Sequence, residues 1–374
     1  MNDTLYDFAI VGAGMAGASL AAELAPHAKV LVLEGEDAPG YHSTGRSAAF
    51  WEECYGGPQI VPLTLPSGRY LRENGFLRKR GALYIGQGQD TRALDDFEQR
   101  FAGTGVTIER ISGETLRTHA PMLRSDWCDG IYEEACADID VAGLHQHYLK
   151  TLRAAGARLA CRARVVGLSQ SAGGWEITTQ SGETFRAQRV VNAAGAWADP
   201  LAKLAGARPL GIQPYRRTVA QLRVGPGAPA DMPLVLDISG NFYFKSDNGR
   251  IWLSPHDETP SLPCDAAPEE IDVARAIDAF QCATNLRIEA VERRWAGLRS
   301  FAPDRTPIYG PDPEVTGFVW FAGQGGFGIQ TAPAAARLAS QIILGLERDE
   351  LTRDIDASVY APMRFYSGKA VKTG

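Results

Sequence analysis

The feature that most constrains this chain is a glycine-spaced turn near its start. Phe8-Ala9-Ile10-Val11 is a short β-branched and aromatic run, Gly12-Ala13-Gly14-Met15-Ala16-Gly17 follows it, and helix formers continue to Leu24. A second apolar run, Lys29 to Leu33, ends in Glu34. Strand, turn, helix and strand in that order predict a parallel pair buried on both faces. In this spacing the first glycine allows a tight turn, the second lets backbone approach a pyrophosphate, and the third lets helix and strand pack closely. The unpaired N–H groups and positive dipole end of the helix then favour an anion. Glu34 stands 22 positions after Gly12, where a carboxylate accepts hydrogen bonds from an adenosine ribose. The expected ligand is a dinucleotide held by Gly12, Gly14, Met15, Ala16, Gly17, Glu34 and Gly35.

Composition narrows the class. The chain has 374 residues, enough for two to three domains with a sizeable core, and its 45% hydrophobic and 22% charged content excludes a disordered or fibrous protein. Forty glycines exceed the usual share and imply many tight turns. A net charge of −6 argues against affinity for nucleic acid or anionic lipid. Six cysteines show neither CxxC nor CxxH spacing, so no disulfide or metal framework is expected. The apolar stretch Phe8 to Ala25 lacks a basic flank, with Asp3 and Asp7 before it and no Lys or Arg before Lys29; it is read as structure, not as a targeting segment. No run reaches the ~18 apolar residues of a membrane span, and a cytoplasmic location is expected.

Elements of the first kind recur. Asp140 is a candidate N-cap for a helix from Val141 to about Ala155, stopped by Gly156. Arg189 to Asn192 reads as a buried strand leading through Gly195 and Trp197 into a helix to Ala205. Phe318 to Phe321 reads as another, with a turn over Gly323 to Gly328 and a helix from Ile329 to Leu344. Between them, Gly81 to Asp140 and Tyr215 to Ser254 hold short alternating runs typical of an antiparallel sheet, with a helix near Ile271 to Cys282 covering it. The expected fold is α/β (α+β overall): a Rossmann-like FAD-binding domain from 1–80, 141–213 and 296–374, with an inserted antiparallel-sheet substrate domain from 81–140 and 214–295.

FAD is preferred over NAD because the loop after Glu34 is dense in hydroxyls and small residues, as a long diphosphate and ribityl chain requires. Ser43, Thr44, Arg46, Ser47, Ala48 and Ala49 fall in it. The second glycine turn would bring another helix N-terminus to the flavin, where positive potential stabilises charge on its reduced N1/O2 edge. Gly325, Gly326, Gly328, Ile329 and Gln330 belong to that end, with Val165, Gly195 and Trp197 from the middle of the chain.

The motifs STGRSAA (Ser43 to Ala49), DIDVAGLHQHYL (Asp138 to Leu149), NAAGAWAD (Asn192 to Asp199), RPLGIQPYRR (Arg208 to Arg217), NFYFK (Asn241 to Lys245), WAGLRSF (Trp295 to Phe301) and GQGGFGIQ (Gly323 to Gln330) carry a resemblance over nearly the whole chain. They resemble the D-amino-acid oxidase and glycine oxidase family of flavoproteins, and within it the D-arginine dehydrogenase pattern. The resemblance implies non-covalent FAD, oxidation of a C–N bond to an imine, and hydrolysis to keto acid and ammonia. Ser300 and Phe301 stand where covalent relatives carry a cysteine.

It also implies a substrate site. Arg217 and Arg299 match arginines that grip a substrate carboxylate, which a planar guanidinium can do bidentately. Tyr55 and Tyr243 match tyrosines that bond or close over the substrate, and Arg216, on the other side of a strand, is expected to be solvated. His42 beside the cofactor is an even choice between ligand and bystander, and His145, His147 and His256 are read as structural or exposed. Two positions depart from the arginine-oxidising pattern: Phe50 stands for a histidine, and Gly81 for the glutamate that pairs with a substrate guanidinium. A small neutral or apolar D-amino acid is therefore expected as substrate. N-substituted glycine or glycine is the alternative, then a 2-hydroxy acid or a flavin-binding module without turnover. The electron acceptor stays open among oxygen, a quinone or another carrier.

Overall fold

The computed structural model describes residues 4–171 and 173–366. The first sheet is built around the predicted pair. Leu5–Val11 lies parallel to Val30–Leu33 on one side and to Thr184–Asn192 on the other. Arg158–Ala160 extends the sheet beyond Val30–Leu33, and Phe318–Ala322 pairs in parallel with the end of Thr184–Asn192. An antiparallel hairpin, Val165–Ser171 with Gly174–Thr179, completes the far edge. Every residue of Val30–Leu33 is buried, as expected of a strand covered on both faces.

Helices cover one face. Met15–Leu24, Val141–Ala154 and Ala332–Leu344 share an apolar cluster with Ile10, Val32 and Phe321, and Leu63 and Leu71 of Val61–Glu73 join the same cluster. Asp140 caps the second of these, its side chain accepting from the Gly143 N–H at 2.8 Å. Ala332–Leu344 starts three residues later than expected because Gly323 to Thr331 is occupied by a longer turn. The other face packs on Ala198–Leu204.

The second sheet orders as Gln324–Gly325, Arg287–Phe301, Gln213–Gly225, Arg250–Ser254, Tyr243–Asp247, Leu234–Asp237, Ala82–Gln87, Trp127–Glu133 and Glu109–Ser112. Its neighbours are antiparallel except that Leu234–Asp237 runs parallel to Ala82–Gln87, joining the two inserted stretches. Alternate residues divide between two cores, as a pleated strand requires. Leu83, Val235 and Phe244 face a cluster closed by Glu270–Ala283, whereas Ala82, Leu234 and Tyr243 face a smaller cluster with Ala48 and Phe50.

The two sheets meet at the C-terminal glycine turn. Phe318–Ala322 belongs to the first, but Gln324–Gly325, just beyond it, pairs with Ser300–Phe301 of the second. Arg299 is thereby placed beside that turn. Phe50–Trp51, Ala137–Ile139 and Leu77–Lys79 form a separate three-stranded antiparallel sheet.

Candidate active site

A cleft of about 960 Å³ opens between the sheets. Its floor is the first turn. Gly12 has φ +103°, and a Cβ on Gly17 would collide with the Gly12 carbonyl, so helix and strand approach as closely as the spacing predicted. The helix start at Gly14 has no side-chain cap and no acidic residue in its first turn, leaving its dipole end open to an anion. Thr44 holds the loop over it, its Oγ1 accepting from the Met15 N–H at 2.9 Å. Glu34 is buried with its carboxylate turned back to the same turn, accepting from the N–H groups of Ala13 (2.9 Å) and Glu36 (3.0 Å).

A second cleft of about 670 Å³ shares Gly12, Glu34 and Trp197 with the first and runs past Gly35, Arg164 and Val165. At the other end of the large cleft stand Leu298, Arg299, Ser300, Gly325, Gly326, Gly328 and Ile329. Ser43 fastens the loop to that end by donating to the Leu298 carbonyl at 2.6 Å. The combined channel runs from the open helix start at Gly14 to the Arg299 end and fits the elongated FAD; the expected second helix start does not reach it, because helix Ala332–Leu344 begins beyond the lining residues.

Among the expected cofactor residues, Gly12, Gly14, Met15, Ala16, Glu34, Ser43, Thr44, Ser47, Gly195 and Trp197 line the large cleft, and Gly35 and Val165 the second. Gly17, Arg46, Ala48, Ala49 and Gln330 line neither. Arg46 pairs with Asp265 and donates to the Ala266 and Ala296 carbonyls, while its own carbonyl accepts from Arg299 Nη2 at 3.3 Å. Ala48 packs beside Tyr243, and the Ala49 carbonyl accepts from Lys245. Gln330 exchanges hydrogen bonds with the Glu52 backbone, tying the C-terminal turn to that segment. Leu298 and Arg164 also line the clefts, as does Ser300, which the sequence marked only as standing where covalent relatives carry a cysteine. The signal for Leu298 and Ser300 was their place flanking Arg299 in one strand.

The expected substrate residues converge. In the pairing of Gln213–Gly225 with Arg287–Phe301, Tyr215 lies opposite Arg299 and Arg217 opposite Gly297. Arg217 and Arg299 are therefore diagonal neighbours on one face. Both are buried. Arg299 donates only to the carbonyls of Leu298 and Arg46, and among the described residues no carboxylate pairs with it. Burial pulls its guanidinium below the usual range, with Tyr55 and Tyr243 opposing and Arg217 adding to the effect. Burial works against charge on Arg217 too, but Tyr55, Tyr243 and Glu258 outweigh it and its value rises.

Phe50 closes the aromatic side, its ring centroid 5.4 Å from Tyr55 and 5.7 Å from Tyr243. The Tyr55 hydroxyl lies against the backbone of Gly326, where a side chain would otherwise sit. His256 stands 5.5 Å from the Tyr243 ring, its imidazole driven down to about 3 by burial and then by Arg217. His145 is structural, bonded to the Ala13 carbonyl at 2.9 Å, and His42 pairs with Glu36 at 3.1 Å.

Two expectations need correction. Arg216 does reach the opposite face, yet it is mostly enclosed, not solvated, because helix Glu270–Ala283 brings Asp272 to 2.8 Å, with Glu269 also paired to it. Gly81 lies outside the aromatic pocket. It has φ +84°, and a Cβ there would strike Tyr132, away from the face that carries Ala82, Phe50 and Tyr243. Its lack of a carboxylate therefore says nothing about the substrate.

Carboxylates missed in the sequence do lie near this face. Glu52 is fully buried; its Oε1 accepts from the Tyr84 hydroxyl, and its Oε2 has no partner among the described residues. Glu133 accepts from the N–H groups of Glu53 (2.8 Å) and Cys54 (3.3 Å). Burial raises Glu52 to about 7 despite the Tyr84 bond, and raises Glu133 as well. Polar atoms of Glu52, Cys54 and Glu133 lie within 4.8 Å of one another. The available signal was an acid set directly among Trp51, Cys54 and Tyr55.

A dinucleotide channel that ends beside a buried, aromatic-walled guanidinium pair defines a flavin-dependent oxidoreductase. Residues 7–342 match the model of the FAD dependent oxidoreductase family, and the chain belongs to that family, with FAD as its cofactor. It is 24% identical over 417 residues to hydrogen cyanide synthase subunit HcnC of Pseudomonas aeruginosa, covering 98% of this chain and 97% of that protein. To L-2-hydroxyglutarate dehydrogenase of Escherichia coli (strain K12) it is 27% identical over 220 residues, 55% of this chain and 51% of that protein, so this match spans about half the relative's length. Glycine oxidase from Geobacillus kaustophilus superposes with a TM-score of 0.81 at 22% identity, covering 95% of this chain and 98% of that one. L-proline dehydrogenase from P. horikoshii gives 0.83 at 22% identity, over 98% and 99%. These two likenesses show the fold. No helix among the described residues is long and apolar enough to cross a membrane.

Proposed function

We propose that the protein oxidises the C–N bond of a small amino acid, with a neutral or apolar D-amino acid preferred and an N-substituted glycine as the alternative. The observation that carries this reading is Arg299, a buried guanidinium without a carboxylate at the flavin end of the cleft. A buried cation left unpaired is costly, and a substrate carboxylate is the group that relieves it. In this reading the portions 1–80, 141–213 and 296–374 hold FAD and the portions 81–140 and 214–295 shape the substrate site, although strand Arg287–Phe301 crosses the boundary between them. Gly12, Gly14, Thr44 and Glu34 would hold the diphosphate and ribose end, and Ser300, Gly325 and Gly326 the flavin end. Bound there, FAD supplies a hydride acceptor for the substrate Cα.

The chain's own work is positioning. Arg299 grips the carboxylate, Arg217, itself held by Glu258, lies beside it without bonding it, and the Tyr55 and Tyr243 hydroxyls bond across it. The preference for an apolar side chain rests on the aromatic wall of Phe50, Tyr55 and Tyr243, in place of the Gly81 argument. Water then converts the released imine to keto acid and ammonia.

A second reading, oxidation of a 2-hydroxy acid, is favoured by the similarity to L-2-hydroxyglutarate dehydrogenase. It needs a base for the hydroxyl proton, and His256, held near 3, is a poor one. An anaerobic screen of flavin bleaching separates the readings. D-leucine, D-phenylalanine or sarcosine should bleach the flavin, and D-arginine should do so poorly. Bleaching by 2-hydroxyglutarate alone would install the second reading, and none at all would favour a binding module without turnover.

A further inference from the structure

The two guanidinium groups of the pocket are not equivalent. Arg299 has only carbonyl partners, whereas Arg217 donates through Nε to the Asp257 carbonyl (2.8 Å) and through Nη2 to Glu258 Oε1 (3.0 Å). The same Glu258 oxygen accepts from Arg305 Nη2 at 2.7 Å, and Arg305 lies over the Phe301 ring at 3.9 Å. Glu258 thus stands between a buried guanidinium and a half-exposed one, with its own side chain a third exposed. Its segment is fixed from below, because Thr259–Pro260 pairs with Tyr215–Arg216.

We propose that Glu258 is a specificity-determining residue: by holding Arg217 and Arg305 it leaves the pocket, among the described residues, one free cation at Arg299, so the site accepts substrates with a single carboxylate and rejects those with a second. The proposal rests on Arg299 as the carboxylate receptor. A dicarboxylate anchored at Arg299 would reach next for Arg217 or Arg305, and both are already bound to Glu258. Its second charge would meet the carboxylate of Glu258, and like charges set side by side repel. Removing the Glu258 charge turns both guanidinium groups into a receptor for that second anion. Glu258 acts through its arginine partners and does not itself touch the reacting bond.

The test uses FAD-loaded protein and a matched pair of probes, propionate and succinate, titrated by flavin absorbance change and by calorimetry. Wild type should bind propionate about tenfold or more tightly than succinate. Glu258→Gln should tighten succinate by about tenfold or more while propionate shifts less than about threefold, and Glu258→Asp should restore the wild-type ratio. The proposal falls if Glu258→Gln leaves the succinate-to-propionate ratio unchanged, or if wild type binds both acids equally. A different failure marks the underlying reading: propionate binding that is absent from wild type, or unaffected by Arg299→Met, removes the carboxylate receptor itself and the role of Glu258 with it.

Discussion

The Arg217–Arg299 pocket and the Glu52–Glu133 pocket lie near the same aromatic wall, one on the Tyr243 side and one on the Tyr84 side. Both bury two ionisable groups, and both contain an atom without a charged partner. They dispose of the burial cost differently. A carboxyl can take up a proton, and Glu52, raised to about 7, does so near neutrality. A guanidinium keeps its charge at any ordinary pH and must find an anion. Arg217 finds Glu258, while Arg299 finds only carbonyl oxygens. The acidic pocket neutralises itself, and the basic one is completed by its substrate.

The largest expected effect comes from breaking the basic pocket. Arg299→Met should lower kcat/KM by roughly a thousandfold, about 4 kcal/mol, while the bound flavin keeps its spectrum. Steady-state kinetics on the substrate found by the bleaching screen checks this; unchanged kcat/KM would clear Arg299. In the acidic pocket the effect is on stability. The folded-state value of Glu52 lies above its unfolded 4.5, so its contribution is fully present below about pH 4.5 and is lost as pH rises through about 7. Thermal unfolding should show Glu52→Gln gaining on wild type by roughly 3 kcal/mol between pH 4.5 and pH 9, and a pH-independent difference would contradict the assignment.

Arg216 sharpens the contrast from the opposite face of Arg217's strand. Arg216→Met leaves the buried Asp272 with a weaker set of partners and should cost about 2 kcal/mol of stability. Its kcat/KM should stay within about twofold of wild type. The smallest effect is expected at the pocket rim: Tyr55→Phe removes one hydroxyl and should cost about 1 kcal/mol in kcat/KM, roughly fivefold.

Legibility in the sequence followed the range of the interactions. The Gly12 to Gly17 turn, the Asp140 cap and the strand at Phe318 are local patterns, and the structure has each where the residues point. Helix Val61–Glu73 escaped notice because Pro62 and Pro66 interrupt its pattern. The parallel pairing of Leu234–Asp237 with Ala82–Gln87 depends on partners far apart in sequence, so alternation alone read as an all-antiparallel sheet. Gly81 shows why matching by position misleads: a sequence gives a residue's place along a strand, whereas its value to a site depends on the face its Cβ would take. Glu52 and Glu133 were invisible for a related reason. An acid is expected at the surface, and their burial arises only where the Phe50 segment folds against strand Trp127–Glu133.

The most direct test of the account is a crystal structure of the FAD-loaded protein with propionate bound as a non-oxidisable substrate fragment. Its carboxylate should lie within hydrogen-bond distance of the Arg299 guanidinium, bounded by the Tyr55 and Tyr243 hydroxyls, with Glu258 still on Arg217. A carboxylate found elsewhere, with Arg299 still bonded only to the Leu298 and Arg46 carbonyls, would contradict it.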